Sequence, residues 1–233
     1  MLKHDSVKIR YLFLSRILRD LCRQNSVMLD YLDALDKRLF LFLNGKHNSF
    51  FDVIMYWASN QYFWIPLYLA LSVWLIRCFR KSAWYFVITV ILLEIASDQL
   101  SSNLIKDWVR RPRPSHTASL TPFIHLSTAG PGGQYGFVSG HASNSFALAV
   151  FLILTLPPGY RRLKYALAVW ALLVSYSRIY NGVHYPGDVL CGALLGTTLA
   201  IIAAALFRRF YPQYLLFIRR RFDRDRTHRS TTP

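Results

Sequence analysis

Acidic residues are scarce in this chain of 233 residues: 12 Asp and Glu stand against 28 Lys and Arg, a formal net charge of +16. Cysteine is scarcer still. Cys22, Cys78 and Cys191 are odd in number and far apart, and Cys191 sits in an apolar run. Neither a disulfide framework nor a cysteine metal cluster is implied. No two histidines have the i, i+4 spacing of a helical metal-ligand pair. Internal repeats and low-complexity tracts are missing, and the N-terminus has no uncharged core of the kind a signal peptide needs.

What is abundant is apolar surface. Hydrophobic residues make up 53% of the chain and aromatics 15%, more than an ordinary soluble domain carries. A helix needs about 20 apolar residues to cross a hydrocarbon core of about 30 Å. Five runs approach that length: Tyr62 to Ile76, Ala83 to Ile105, the shorter Phe146 to Leu156, Leu163 to Tyr176, and Val189 to Phe207. The expected fold is an all-α, polytopic membrane bundle of one domain with about five core spans and amphipathic interfacial helices at its N-terminus.

On a soluble protein, a charge of +16 would point to nucleic acid. Here the basic residues gather at RCFRKS (Arg77 to Ser82), at YRRLK (Tyr160 to Lys164) and after Phe207. With alternating spans these places fall on one side, and Lys and Arg mark the cytoplasmic side. The basic tail would then lie against anionic lipid. No nucleic-acid motif accompanies the charge, so the expected partner is the lipid bilayer.

Four parts are expected: 1–27, a basic amphipathic extension lying on the membrane; 28–61, an amphipathic interfacial segment; 62–210, the membrane core; and 211–233, the basic cytoplasmic tail. Recognisable organisation begins at Met28, which is also a candidate start.

The unusual polar residues fall in the two links on the side opposite the basic loops. KDWVRRPRP (Lys106 to Pro114) supplies Lys106, a mobile point charge, and Arg113, a planar fork suited to phosphate oxygens. YGFVSGHASNSF places Ser139, Gly140 and His141 where a span begins, and a helix N-terminus offers free N–H groups to an anion. SRIYNGVHYPGD holds Arg178, His184 and Asp188. An Asp four residues after a His can orient the imidazole and leave its other nitrogen free to attack. Each cluster alone also reads as helix capping or as charge flanking a span.

Together they make a site for a dianion beside a nucleophile and an acid, the parts needed for phosphoryl transfer through a phosphohistidine. A metal site fits worse, because three cations would repel a divalent ion. A non-catalytic lipid-phosphate binder or transporter would need the cations but neither His141 nor the His184–Asp188 pair. In the second span Glu94, Asp98, Ser102 and Lys106 are spaced by four and share a face expected to look into the bundle. Glu94 reads there as polar glue between helices.

The pattern K-x6-R-P (Lys106, Arg113, Pro114), then S-G-H (Ser139, Gly140, His141), then S-R-x5-H-x3-D (Ser177, Arg178, His184, Asp188) resembles the signature of the type 2 phosphatidate phosphatase superfamily. Val138 stands where that family has proline. The resemblance implies that Lys106, Arg113 and Arg178 hold the phosphate oxygens, helped by the Ser139 and Gly140 N–H groups. His184 would attack phosphorus, Asp188 would orient it, and His141 would protonate the leaving oxygen and later activate water. It implies no metal or other cofactor. The substrate would be a membrane lipid phosphate such as undecaprenyl pyrophosphate, a phosphatidate-type lipid or a lipid A phosphate. The expected location is a bacterial inner membrane, with the site on the periplasmic face. The link Ser115 to Phe137, with His116, His125 and Tyr135, is expected to select the headgroup.

Overall fold

The computed structural model describes residues 27–80 and 83–211. The basic extension before residue 27 and the tail after 211 lie outside the described residues. Among the described residues there are seven helices and no strand: α1 over 27–44, α2 Ser49–Ser59, α3 Ile65–Phe79, α4 Ala83–Val109, α5 Gly140–Thr155, α6 Arg161–Tyr180 and α7 Pro186–Phe210.

The last five match the five apolar runs. Three are long and apolar enough to cross a membrane: α3 with the turn before it (Gln61–Phe79), α4 and α7. The other two fall short for different reasons. α5 has only 16 residues, because Pro157 and Pro158 stop it. α6 carries Arg161, Arg162 and Lys164 in its first turn and Arg178 in its last. Large side chains on the outside, such as Ile88, Leu92 and Ile95 of α4 and Leu190, Leu194 and Ile201 of α7, are exposed on the isolated chain. That surface suits lipid.

α5 is the centre of the bundle. It runs parallel to α7, and the two backbones approach unusually closely. A Cβ added to Gly192 would lie 2.4 Å from the Ser139 carbonyl oxygen, and one on Gly196 would lie 2.0 Å from that of Ser143. Ala200 and Ala204 continue the stripe and are buried. Small residues every fourth position let helices meet backbone to backbone where hydrophobic driving force is weak. On the other side of α5, Ser97 of α4 bonds Ser143 Oγ at 2.7 Å and donates to Asn144 Oδ1 at 2.6 Å. The polar glue therefore comes from Ser97; Glu94 Oε1 has no hydrogen-bond partner.

The basic ends of α3, α6 and α7 gather at one end of the bundle, where Arg208 of α7 donates to the Leu154 carbonyl of α5 at 2.6 Å. The C-terminus of α4, the N-terminus of α5, the C-terminus of α6 and the N-terminus of α7 meet at the other. α1 and α2 dock there. Phe40 is fully buried with its ring edge-on to Tyr185 at 5.5 Å. Asn44, also buried, donates to the carbonyls of His125 and Tyr180 and accepts the His125 N–H.

Overpacking at a site this tight costs on the order of 1–3 kcal/mol or more. Gly196→Leu is expected to lose most folded, monodisperse protein in detergent size exclusion, whereas Leu194→Ala on the lipid-facing side keeps it.

Candidate active site

The helix ends deliver the three motifs to one cavity of about 600 Å³, lined by Lys106, Arg113, Gly140, His141, Arg178 and His184 at its mouth end. Lys106 arrives through a π-helical stretch, Gln99–Ile105, that rotates the end of α4. Arg111 and Arg113 are set by a short extended pairing. Arg113 N–H donates to the Gln134 carbonyl at 3.1 Å and Gly136 N–H to that of Arg111 at 2.9 Å. Residues two apart on extended chain share a side, so both guanidinium groups turn the same way.

Arg113 is 8% exposed, with Nε donating to the Tyr135 carbonyl at 3.0 Å and Nη1 to that of Val183 at 3.4 Å. Arg178 Nη1 donates to Ser59 Oγ of α2, while its Nε is buried without a partner. The Ser59 backbone also lies against His141.

His184 and Asp188 are both buried, at 1% and 0% exposure. Their nearest approach, Nδ1 to Oδ2, is 3.7 Å, beyond hydrogen-bonding range. The expected His–Asp hydrogen bond is therefore not formed in this state. The carboxylate is held elsewhere: Oδ2 accepts the Tyr185 N–H at 3.0 Å, and Oδ1 accepts from Arg111 Nη1 at 2.7 Å. Gly136 closes the dyad from above. A Cβ there would fall 3.1 Å from Asp188 Oδ2 and 3.5 Å from His184 Nδ1.

Ser139 caps α5, but its N–H donates to the Asp188 carbonyl at 3.0 Å. It cannot serve a phosphate as expected. Its hydroxyl is buried without a partner, so the hydroxyl is what it offers. The free N–H groups at this helix end begin with Gly140.

Arg111 was not among the expected site residues. It binds three carboxylates at once: Asp33 at 2.8 Å, Asp36 at 2.8 Å and Asp188 at 2.7 Å. Its guanidinium also stacks over the Tyr185 ring at 4.1 Å. Burial works against its charge, but Asp188, Asp36 and Asp33 together raise its pKa well above the ordinary value. Asp36 also accepts the Gly187 N–H at 2.7 Å. α1 thus fixes both the first turn of α7 and the position of Asp188.

The three headgroup-reading candidates do not line the cavity. His125 bonds Asp52 at 2.8 Å and stacks on His47 at 3.9 Å, which makes it a tie to α2. His116 shares a hydrogen bond with Ser115, and Tyr135 offers its backbone carbonyl to Arg113.

The electrostatics favour an anion. Burial holds His184 well below the ordinary imidazole value of 6.5, and the charges of Arg113, Arg178 and Lys106 lower it further. Burial likewise lowers Arg113, which Asp188 partly offsets. A neutral imidazole among cations is poised to attack and not to titrate.

Residues 82–212 match the PAP2 superfamily. The chain belongs to that superfamily. A lipid A 4'-phosphatase of Bacteroides thetaiotaomicron is 35% identical over 171 residues, 72% of this chain and 75% of that one. An undecaprenyl-diphosphatase of Sulfolobus acidocaldarius is 30% identical over 171 residues, 72% of this chain and 76% of that one. A solved transmembrane PAP2-type phosphatidylglycerolphosphate phosphatase from Bacillus subtilis shares the fold. Its TM-score is 0.58 at 23% identity, covering 77% of this chain and 87% of that one. This PAP2 chain is therefore a membrane lipid phosphatase, a hydrolase of phosphate esters.

Two outcomes follow from the geometry. Arg111→Ala frees Asp188 from its anchor, and small misplacements of a reacting group cost about a hundredfold. We expect kcat to fall by about that factor with KM little changed. Lys37→Ala, which breaks only the exposed Lys37–Asp33 pair, leaves kcat within about twofold. Because His184 is held neutral, the acid limb of kcat/KM, corrected for ionisation of the substrate, should lie below pH 6.5.

Proposed function

We propose that the protein hydrolyses the phosphate or pyrophosphate group of a membrane lipid through a phosphohistidine formed on His184, on the outer face of a bacterial inner membrane. The observation that carries this reading is the convergence of Lys106, Arg113, Arg178, His141 and His184 on one cavity, with His184 buried and neutral between them.

Lys106, Arg113 and Arg178 bind the phosphate oxygens, with the Gly140 N–H at the positive end of α5 and the Ser139 hydroxyl. His184 Nδ1 faces Asp188, so Nε2 attacks phosphorus. The bond from phosphorus to the lipid oxygen breaks, and His141, which enters this step as the imidazolium once the bound phosphate dianion offsets the neighbouring cations, gives that oxygen its proton. His141 then takes a proton from water, whose oxygen attacks the phosphohistidine. Inorganic phosphate leaves, and His184 returns to its starting form. The imidazolium-like charge on the phosphorylated ring is balanced by Asp188, which closes on Nδ1 as the complex forms. Three cations around the phosphate would repel a divalent metal, so the reaction is read as metal-independent.

Orientation rests on charge. The basic helix ends lie opposite the site, and basic loops stay on the cytoplasmic side. On this reading the C-terminus is cytoplasmic. Residues 28–61 are read as interfacial, bracing the site from outside, and 211–233 as a basic tail against anionic lipid.

A non-catalytic binding or transport protein would retain the anion site. Rapid acid-free quenching with a radiolabelled lipid phosphate separates the two readings. Wild type should give a base-stable, acid-labile phosphoenzyme and release phosphate with EDTA present. His184→Ala should give neither. Substrate binding with no phosphoenzyme and no release would leave only the transport reading.

A further inference from the structure

The cavity does not end at the phosphate site. Below His141 it continues into the bundle between α3, α4, α5 and α6, walled by Leu71, Leu75, Val87, Leu148, Leu152 and Val174. A hydrocarbon chain needs nothing more than such walls. Several polar side chains interrupt them, Ser72, Asn144 and Ser145 among them, and two have an atom left without a partner. Glu94 Oε1 and Trp170 Nε1 are each buried with no hydrogen-bond partner, and both residues line the cavity. Tyr68 connects them. Its ring packs edge-on to Trp170 at 6.1 Å, and the Glu94 carboxyl is near enough to act on it electrostatically.

These atoms lie well away from the phosphate. Trp170 precedes Arg178 by eight residues and Glu94 precedes Lys106 by twelve, about 12 Å and 18 Å of helix. The basic side chains point back toward the N-termini of their helices, into the cavity, which shortens both gaps. The polar pair is then at the depth of the lipid body, past the bond that is cleaved.

The geometry points to a second subsite, formed by Glu94, Trp170 and Tyr68, that receives a hydrogen-bonding group on the lipid body. It selects acylated lipid phosphates over polyprenyl phosphates. A hydroxyl would accept from the indole N–H and donate to Glu94. An acyl carbonyl would take the indole N–H alone. A polyprenyl chain has neither group and would leave both protein atoms unpaired in an apolar wall. Sites built to hydrogen-bond a substrate discriminate strongly against analogues that lack the group. The subsite rests on the lipid phosphatase reading of the same cavity.

The test compares wild type, Glu94→Leu and Trp170→Phe in detergent on four substrates. They are lipid A, phosphatidate, undecaprenyl pyrophosphate and the headgroup-only probe para-nitrophenyl phosphate. Both variants should lower kcat/KM on an acylated lipid by about tenfold or more, and leave the polyprenyl lipid and the small probe within about twofold. Loss on phosphatidate assigns the carbonyl, and loss on lipid A alone assigns the hydroxyl or amide. Equal effects on acylated and polyprenyl lipids, or none on either, overturn the subsite. Absence of release from every substrate by folded wild type would instead overturn the phosphatase reading. Trp170→Phe keeps the ring, so a folding defect confined to Glu94→Leu still leaves the comparison decisive.

Discussion

Cations are expensive at membrane depth, and this bundle gathers them where few carboxylates can answer. Charged groups in such a place are retained when they serve a partner or a pathway. Lys106, Arg113 and Arg178 share one cavity; of the carboxylates near them, Asp98 lines the same cavity and Asp188 is shared with Arg111. The repulsion among the three is relieved only in part, and a phosphate dianion relieves the rest. Neutral His184, held so by burial and by the three charges together, sits with the open N-terminus of α5 and the unpartnered Arg178 Nε at that imbalance.

Holding the imbalance in place requires rigidity from elsewhere. The α5–α7 contact supplies it in the membrane, where backbone meets backbone at Gly192 and Gly196. It also sets the site directly, because Ser139 N–H bonds the carbonyl of Asp188. At the site end of the bundle α1 does the corresponding work through Asp33, Asp36 and Phe40. The region before the core is thus a brace that aligns the Asp188 carboxylate.

The sequence made the core legible because its chemistry is local. Arg178, His184 and Asp188 lie within eleven residues, and the apolar runs on either side place them between the end of α6 and the start of α7. The five apolar runs marked α3 to α7, and α5 starts at Gly140, where the S-G-H cluster placed the beginning of a span ahead of the apolar run from Phe146. Arg111 was hidden for a physical reason. It sits in a run of basic residues that reads as a helix flank, and its Asp33 partner is 78 residues away. His125 misled in the opposite way. An interfacial histidine in a long link looks available, but Asn44 of α1, Asp52 of α2 and His47 between them occupy it. Glu94 was visible in the i, i+4 stripe, while its role depends on whether Ser97 or Glu94 meets α5, which only packing decides.

The central claim is that the fold stores charge repulsion that a phosphate dianion relieves. The most direct measurement is the thermal stability of the detergent-purified protein against increasing inorganic phosphate at fixed ionic strength. Ligands that bind only the folded state raise its stability by mass action. The account predicts a saturable rise in the melting temperature of wild type that sulfate at equal ionic strength reproduces and chloride does not. It also predicts that Arg178→Gln is intrinsically more stable than wild type and no longer responds. A catalytically active wild type that phosphate fails to stabilise, together with an Arg178→Gln variant less stable than wild type, would contradict it.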